Sequence, residues 1–329
     1  MKDLKYLMAY SVPLSVFVSI YFRGVFSYTS LIYVFLFIPI IELFLPTNLS
    51  IFSEQETKSR LRDRFFDWLL YLNIPIVYII LFYGLHSFSN YDIKSYEYLG
   101  FVMSLGILLA TNAVNVAHEL GHRKNPFDIF ASRVLLLPCL YMHFTMEHNY
   151  GHHKNVATEL DPATAKEGQT LYHFWVTSVF GQYKNAWQIQ IKLLKNKKAS
   201  FLSFENKLLL FSVYQIIYLA TIYSFFGERA LVLAFLVGII SFLFLETINY
   251  IEHYGLKRKK VGNKYERVQK KHSWNSDHIM GRIILYELTR HSDHHFRASK
   301  KYQILESFKD SPRLPFGYPM SMLLAFIPP

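Results

Sequence analysis

Apolar residues fall along this chain in long blocks, separated by short polar stretches rich in charge. A membrane crossing needs roughly 20 mostly apolar residues, and a single crossing segment must be helical to satisfy its own backbone in lipid. Six stretches meet that requirement: 4–22, 27–45, 66–85, 99–117, 208–226 and 230–249. The pattern predicts an all-α polytopic membrane protein, a six-helix bundle over about 4–249. A seventh apolar run, 134–144, is too short to cross and is expected to dip in, lie at the interface or pack inside the protein. Residues 171–191 alternate aromatic with polar side chains and predict an amphipathic interfacial helix. Beyond Gly255 the chain turns basic and polar and gathers Pro312, Pro315, Pro319, Pro328 and Pro329. Segments 118–207 and 250–329 read as a cap beneath the bundle. With no repeat or flexible linker, 1–329 reads as one domain.

Composition agrees with the membrane class: 52% of residues are hydrophobic and 17% aromatic. Charge supplies an orientation. With Met1 in the cytoplasm, the outer loops hold only Arg23, Lys94 and Arg229 of the 35 Lys and Arg residues, as the positive-inside rule favours. The loop carrying Lys58, Arg60, Arg62 and Arg64 is the strongest single signal. The first apolar run resembles a signal peptide, but no small-residue cleavage site precedes Arg23, so a retained helix is expected. The net charge of +11 lies largely in segments such as Lys257-Arg258-Lys259-Lys260, where anionic lipid is sufficient partner. No nucleic-acid reading module accompanies it. The lone Cys139 excludes an internal disulfide and a Cys-x-x-Cys site, and with them any iron–sulfur or rubredoxin-type module within this sequence.

Against that background the histidines stand out. Nine of fourteen fall in four clusters: His118-Glu-Leu-Gly-His122, His148-Asn-Tyr-Gly-His152-His153, His253 in Asn-Tyr-Ile-Glu-His-Tyr-Gly, and His291-Ser-Asp-His294-His295. Imidazole is the commonest side-chain metal ligand and suits iron, zinc, copper and nickel. One four-coordinate ion cannot use nine imidazoles; two ions taking four or five each can. The six-helix topology also delivers all four clusters to the same side of the membrane. The sequence therefore proposes a membrane-embedded two-metal centre on the cytoplasmic face.

Helical spacing groups the candidates. Positions i and i+4 share a face, which joins His118 to His122 and His148 to His152. His153 is turned about 100° from His152, toward a second metal or another side of the same one. His291, His294 and His295 form one stripe. Glu119, Glu147, Glu252 and Asp293 are adjacent in sequence to these histidines, and Asp161 can fold back toward them; all five are candidates for orienting ligand rings. His86, His143, His173 and His272 are isolated and read as structural. His278 is expected not to ligate directly. His118-Glu119-Leu120-Gly121-His122 also fits the H-E-x-x-H helix motif of zinc proteases, but that reading leaves most of the other clustered histidines unused. A metal transporter is a further alternative, although transporter sites lie nearer the bilayer midplane.

These motifs resemble the integral-membrane alkane monooxygenases, within the larger membrane desaturase–hydroxylase superfamily. The resemblance rests on His-Glu-Leu-Gly-His-Arg at 118–123, Glu-His-Asn-Tyr-Gly-His-His at 147–153 and Val-Ala-Thr-Glu-Leu-Asp-Pro-Ala at 156–163. It extends through Asn-Tyr-Ile-Glu-His-Tyr-Gly-Leu at 249–256, Arg-His-Ser-Asp-His-His at 290–295 and Arg-Leu-Pro-Phe-Gly-Tyr-Pro at 313–319. It implies six transmembrane helices and a cytoplasm-facing di-iron centre held by His118, His122, His148, His152, His153, His253, His291, His294 and His295. It also implies oxygen-dependent hydroxylation of a terminal alkane carbon, with electrons from rubredoxin and its NAD(P)H-dependent reductase. Two positions depart from the family pattern: Thr289 stands where Gln is common, and Tyr150 where Arg is common. Both bear on the substrate, and fatty acyl chains or alkylbenzene methyl groups are the alternatives. Such chemistry suits a metal, because an unactivated C–H bond offers no acidic proton and no leaving group. A bilayer-dissolved substrate would approach through an apolar slot, with Phe101, Met103, Leu105 and Leu108 as candidate lining, although core packing is the stronger reading of any one of them. Basic residues from Lys257 to Lys271 are candidates for docking an acidic redox protein.

Overall fold

A computed structural model describes residues 2–47, 49 and 51–329; Met1, on which the orientation is framed, lies outside them. Among the described residues, five helices are long and apolar enough to cross a membrane. They are α1 (Asp3–Phe22), α2 (Gly24–Phe44), α3 (Phe65–Asn90), α4 (Ser95–Gly121) and, after two shorter helices, α7 (Lys207–His253). The shorter two are α5 (Pro126–Leu136) and α6 (Leu171–Lys197).

Two predicted spans fall within α7. At 47 residues an unbroken helix would be about 70 Å long, against a hydrocarbon layer of about 30 Å. Gly227 interrupts it at φ 80° and ψ −175°, a conformation that glycine adopts without the strain a Cβ would bring. The two halves lie side by side, since Gln215, Ile216 and Leu219 line one cleft together with Phe235, Ile239 and Phe242. The first half runs along α3, with Phe226 stacked on Phe82 at 6.1 Å. The second runs along α4, where a Cβ on Gly106 would meet Ile240 Cγ2 at 2.4 Å.

Connections gather at one end of this bundle. Arg23 stands over the Tyr91 ring at 4.0 Å, and Arg229 over Phe88 and beside the Tyr98 hydroxyl at 3.3 Å. The basic 58–64 segment overlaps a short helix, Glu54–Arg62, opened by a Ser53/Glu56 capping box. Outward-facing apolar side chains such as Leu14, Ile79 and Phe225 suit a lipid surround better than water.

The run 134–144 packs inside, as one of its three anticipated placements. α5 ends at Leu136, Leu140 adopts φ 54°, and Cys139, Tyr141 and Phe144 are buried. α6 buries Leu171, Phe174, Ser178, Gln182, Ala186, Gln190 and Leu194, a stripe of period three to four that faces the protein. Ser178 and Gln182 donate to the buried Glu246 carboxylate of α7 at 2.6 and 2.8 Å, and Tyr141 adds a third donor at 3.1 Å. That polar knot ties α6 and the 137–143 turns to α7. The tail beyond α7 folds back across the bundle end. Tyr6 of α1 donates to Glu287 at 2.7 Å, and Arg282 and Arg290 flank the same buried carboxylate.

Candidate metal centre

Two of the four histidine clusters lie on membrane-type helices rather than beyond them. α4 runs on to Gly121 and carries His118; His253 is the last residue of α7. A π-helical stretch, Leu109–Val114, precedes His118. His122 directly follows α4, and the remaining six histidines come from the helical segment 144–155 and from α8 (His291–Phe296).

The structure brings all nine together, in two abutting groups. His118, His122, His148, His153 and His294 form one; His152, His253, His291 and His295 form the other. Within each group the nitrogens all lie within 4.8 Å of one another. In the larger group the Nε2 atoms are 3.0 Å apart for His148–His153, 3.1 Å for His122–His148 and His153–His294, and 3.4 Å for His118–His122. In the smaller group His152–His295 and His253–His291 are each 3.2 Å apart.

This partition keeps His118 with His122 and turns His153 away from His152, but it overturns the rest of the helical grouping. His148 shares a group with His153, not with His152. His148–His152 is a π-helical turn closed by the His153 amide on the His148 carbonyl, so residues five apart come into line. The stripe in α8 also divides: His291 and His295 point one way, and His294 joins the other group.

The donor set fits metal ions. A metal–nitrogen bond of about 2.1 Å puts neighbouring donors about 3.0 Å apart at right angles and about 3.4 Å apart in a tetrahedron. Hydrogen bonding does not account for the spacing. His153 Nε2 lies within 3.2 Å of the Nε2 atoms of His122, His148 and His294, and one imidazole proton cannot serve three neighbours. Protonation would only repel. Burial lowers His122 to about 3 and holds His148, His153, His291, His294 and His295 well below the usual imidazole range, with neighbouring imidazoles adding to the effect. Neutral rings are the ligating form.

The five carboxylates take different positions. Asp161 meets His152 Nδ1 at 2.9 Å and also accepts from Thr164 Oγ1 at 2.5 Å. Burial works against a charge on His152, yet Asp161, with smaller help from Glu147 and Glu252, raises the imidazole. Glu252 lies 3.1 Å from His291 Nε2, on the metal-facing side of the ring rather than behind it. Tyr318 of α9 (Tyr318–Ala325) donates to its other oxygen at 2.6 Å. Glu147 accepts from Asn185 at 3.1 Å; burial and the nearby Asp161 raise its carboxyl. The other two turn away. Glu119 pairs with Arg123 at 3.1 Å, and Asp293 with Lys300 at 2.6 Å and the Glu306 amide at 2.9 Å. The reason is geometric: a carboxylate one residue from a ligand points about 100° off it.

The isolated histidines stay out of both groups. His86 contacts Asn90, His272 contacts Glu266, and His278 contacts Ser276 at 3.1 Å. His143 is buried between Tyr141 and Tyr183. Sequence reasoning missed Tyr318, although it lies in the motif at 313–319.

A narrow apolar slot runs between α1, α2, α4, α7 and the tail, lined by Val34, Ile38, Ile107, Ala110, Phe244 and Tyr318, among others. None of the four anticipated helix-four residues borders it; Phe101, Leu105 and Leu108 are core. Tyr318 joins the slot to Glu252, and so to the smaller histidine group.

Membrane-type helices bearing two polyhistidine groups able to hold metal define the class. Comparison with known proteins gives the family. The fatty acid desaturase family model matches residues 94–322. "Alkane 1-monooxygenase 1" of Alcanivorax borkumensis is 38% identical over 88% of this chain and 72% of its own length. An alkane 1-monooxygenase of Acinetobacter baylyi is 36% identical over 93% and 75%. The hydroxylase component of the xylene/toluene monooxygenase of Pseudomonas putida is 28% identical over 80% and 71%. The chain belongs to the alkane 1-monooxygenases of the fatty acid desaturase family.

Proposed function

We propose that this protein hydroxylates the terminal carbon of alkanes or similar lipophilic molecules, using two irons held by the nine histidines. His118, His122, His148, His153 and His294 would hold one, and His152, His253, His291 and His295 the other. Bound irons would supply the oxygen activation that no side chain can. The observation that carries the reading is the pair of imidazole groups with metal-like nitrogen spacing.

The chain's own residues have definable tasks. Asp161 holds the His152 ring through Nδ1 and leaves Nε2 for metal. Glu252 places a carboxyl group at the smaller group, and a bound cation would hold it ionised, offsetting charge that neutral imidazoles leave uncompensated. The slot admits an apolar chain and excludes water. We infer six passes, with the Gly227 break as the turn between the last two, and the histidine end facing the cytoplasm of the plasma membrane. Electrons would come from rubredoxin and its NAD(P)H-dependent reductase, docking on the basic stretch Lys257–Lys271. That stretch carries a β-hairpin of β1 (Lys260–Val261) and β2 (Lys264–Tyr265).

Feeding alkanes, alkylbenzenes and fatty acids separately and identifying the products tests the reading. A terminal alcohol from an alkane is expected. The xylene/toluene relative favours a second reading, methyl hydroxylation of alkylbenzenes, which the same experiment separates. Purified protein with NADH alone should be inactive and gain turnover when rubredoxin and reductase are added; turnover without them would sink the partner assignment. Two irons per chain are expected on metal analysis. A single zinc would revive the protease reading, although Glu119, which would be its base, is held by Arg123.

A further inference from the structure

The flank of the histidine end carries a cationic cleft that the proposed chemistry leaves unused. α5, α6 and the start of α7 enclose about 350 Å³ there. Arg133, in the last turn of α5, lies in it with its guanidinium carbon 5.6 Å from the centre of the Phe211 ring. Its Nε is buried without a hydrogen-bond partner, and among the described residues no carboxylate pairs with it.

The other charges around the cleft are largely spent. Arg123 is neutralised by Asp67 and Glu119. Lys197 and Glu205 pair with each other at 2.6 Å. Lys207 donates to the Phe204 carbonyl at 2.9 Å and shares the single Glu205 charge with Lys197. The excess is positive and resides on Arg133 and Lys207. A planar guanidinium fork without a counter-ion matches a phosphate.

Position argues for a lipid source. The apolar run of α7 begins just after Lys207, so both cations sit where that helix enters its hydrophobic stretch. Phe130, one turn before Arg133, is 61% exposed, and Tyr214 on α7 is 47% exposed. These rings offer an outward apolar surface beside the charge. Basic pockets between membrane helices are suited to anionic headgroups.

We propose that this cleft binds the phosphate of an anionic phospholipid, with Arg133 as the fork and Lys207 as a second charge at the mouth. Its floor includes Gly121 and Asn149, joined by a 3.0 Å hydrogen bond, directly beside His122 and His148. The bound lipid would brace the larger histidine group from outside. The inference rests on the membrane reading alone and not on which metal or substrate the centre takes.

The test uses the full-length protein in nanodiscs of equal phosphatidylglycerol and phosphatidylcholine, with retained lipid counted by native mass spectrometry. Wild type should retain phosphatidylglycerol preferentially. Arg133→Gln should weaken that retention at least about tenfold, Arg133→Lys should keep part of it, and Lys94→Gln at the other end of the bundle should match wild type. Wild-type retention at the bilayer ratio overturns the proposal, and that measurement stands even if Arg133→Gln does not fold. Undiminished retention in a folded Arg133→Gln overturns it too. Equal protection by inorganic phosphate, without lipid preference, would make this an anion site and sink the lipid assignment. Metal content measured on the same samples separates loss of lipid from loss of the metal centre.

Discussion

The two histidine groups are neighbours built differently. The larger takes four of its five imidazoles from two local turns, at 118–122 and 148–153, and His294 alone from the tail. No carboxylate hydrogen-bonds to its rings among the described residues. The smaller draws four imidazoles from three separate segments, is wholly buried, and has Asp161 behind one ring and Glu252 beside another. Both groups therefore draw on three segments, but the larger takes one ring of five from the tail and has no carboxylate against its rings. The smaller takes two of four from the tail and has two carboxyl groups at its rings. Two chemically different sites are the consequence, and the smaller depends more on the tail being in place.

Removing one ligand from each group breaks the comparison most directly. His294→Ala and His295→Ala alter adjacent residues, yet they strike different groups. Each should abolish turnover and lower metal content by about one ion per chain, while membrane insertion and the helical signal persist. The surviving ion should differ spectroscopically between the two variants. Identical spectra would mean that the two groups do not hold separate ions. His152→Ala, also in the smaller group, should behave like His295→Ala; full activity would remove His152 from the ligand set.

A milder change probes the charge difference. Asp161→Asn leaves all nine imidazoles but takes away the carboxylate charge that orients the His152 ring through Nδ1. Partners of this kind alter metal affinity by about 10- to 100-fold. Metal titration should show weakened binding of one ion of the two. If both ions weaken equally, the groups are coupled more tightly than their separate construction implies.

Much of this arrangement could be read along the chain. The long apolar blocks, the count of clustered histidines and their delivery to one end all follow from hydrophobic length and spacing. What escaped was local backbone geometry. Nothing in His-Asn-Tyr-Gly-His-His announces a π-helical turn, so the usual i, i+4 rule paired His148 with the wrong partner. Neighbourhood in sequence likewise misled for Glu119 and Asp293, because one step along a helix turns a side chain away. Glu252 does meet a ring, but that of His291, 39 residues on, and Tyr318 reaches Glu252 only because the tail folds back. The slot lining could not be picked out for a related reason: α4 is buried almost all round, so its apolar residues do not reveal which of them face a cavity, and core packing, the stronger reading of each, holds for Phe101, Leu105 and Leu108.

Tyr318→Phe sharpens the contrast at smaller scale. It removes one donor from Glu252 while leaving the slot's shape nearly unchanged. The buried carboxylate oxygen would lose its partner, at a cost of about 1–3 kcal/mol. A lower melting temperature and a few-fold weaker hold on one metal ion are expected. Substrate binding should change less than metal binding. The reverse order would assign Tyr318 to the slot rather than to the metal group.

The smallest effect on metal should come from Asp293→Asn, although Asp293 lies between His291 and His294 in sequence. Its carboxylate is committed to Lys300 and the Glu306 amide, contacts that hold the tail on the far side of α8 from the imidazoles. Asparagine keeps a hydrogen-bonding oxygen and gives up the charge, and Lys300 retains Glu306 at 2.9 Å. Thermal stability should fall by about 1–2 kcal/mol, within the range usual for point changes, while metal stoichiometry and affinity stay at wild-type values. Set against Asp161→Asn, the same chemical change would then have different consequences for metal in two carboxylates that the sequence offers alike as ring partners. Metal loss in Asp293→Asn comparable to that in Asp161→Asn would mean that α8 shifts as a unit, and that the tail's anchoring governs the smaller group more than the ring partners do.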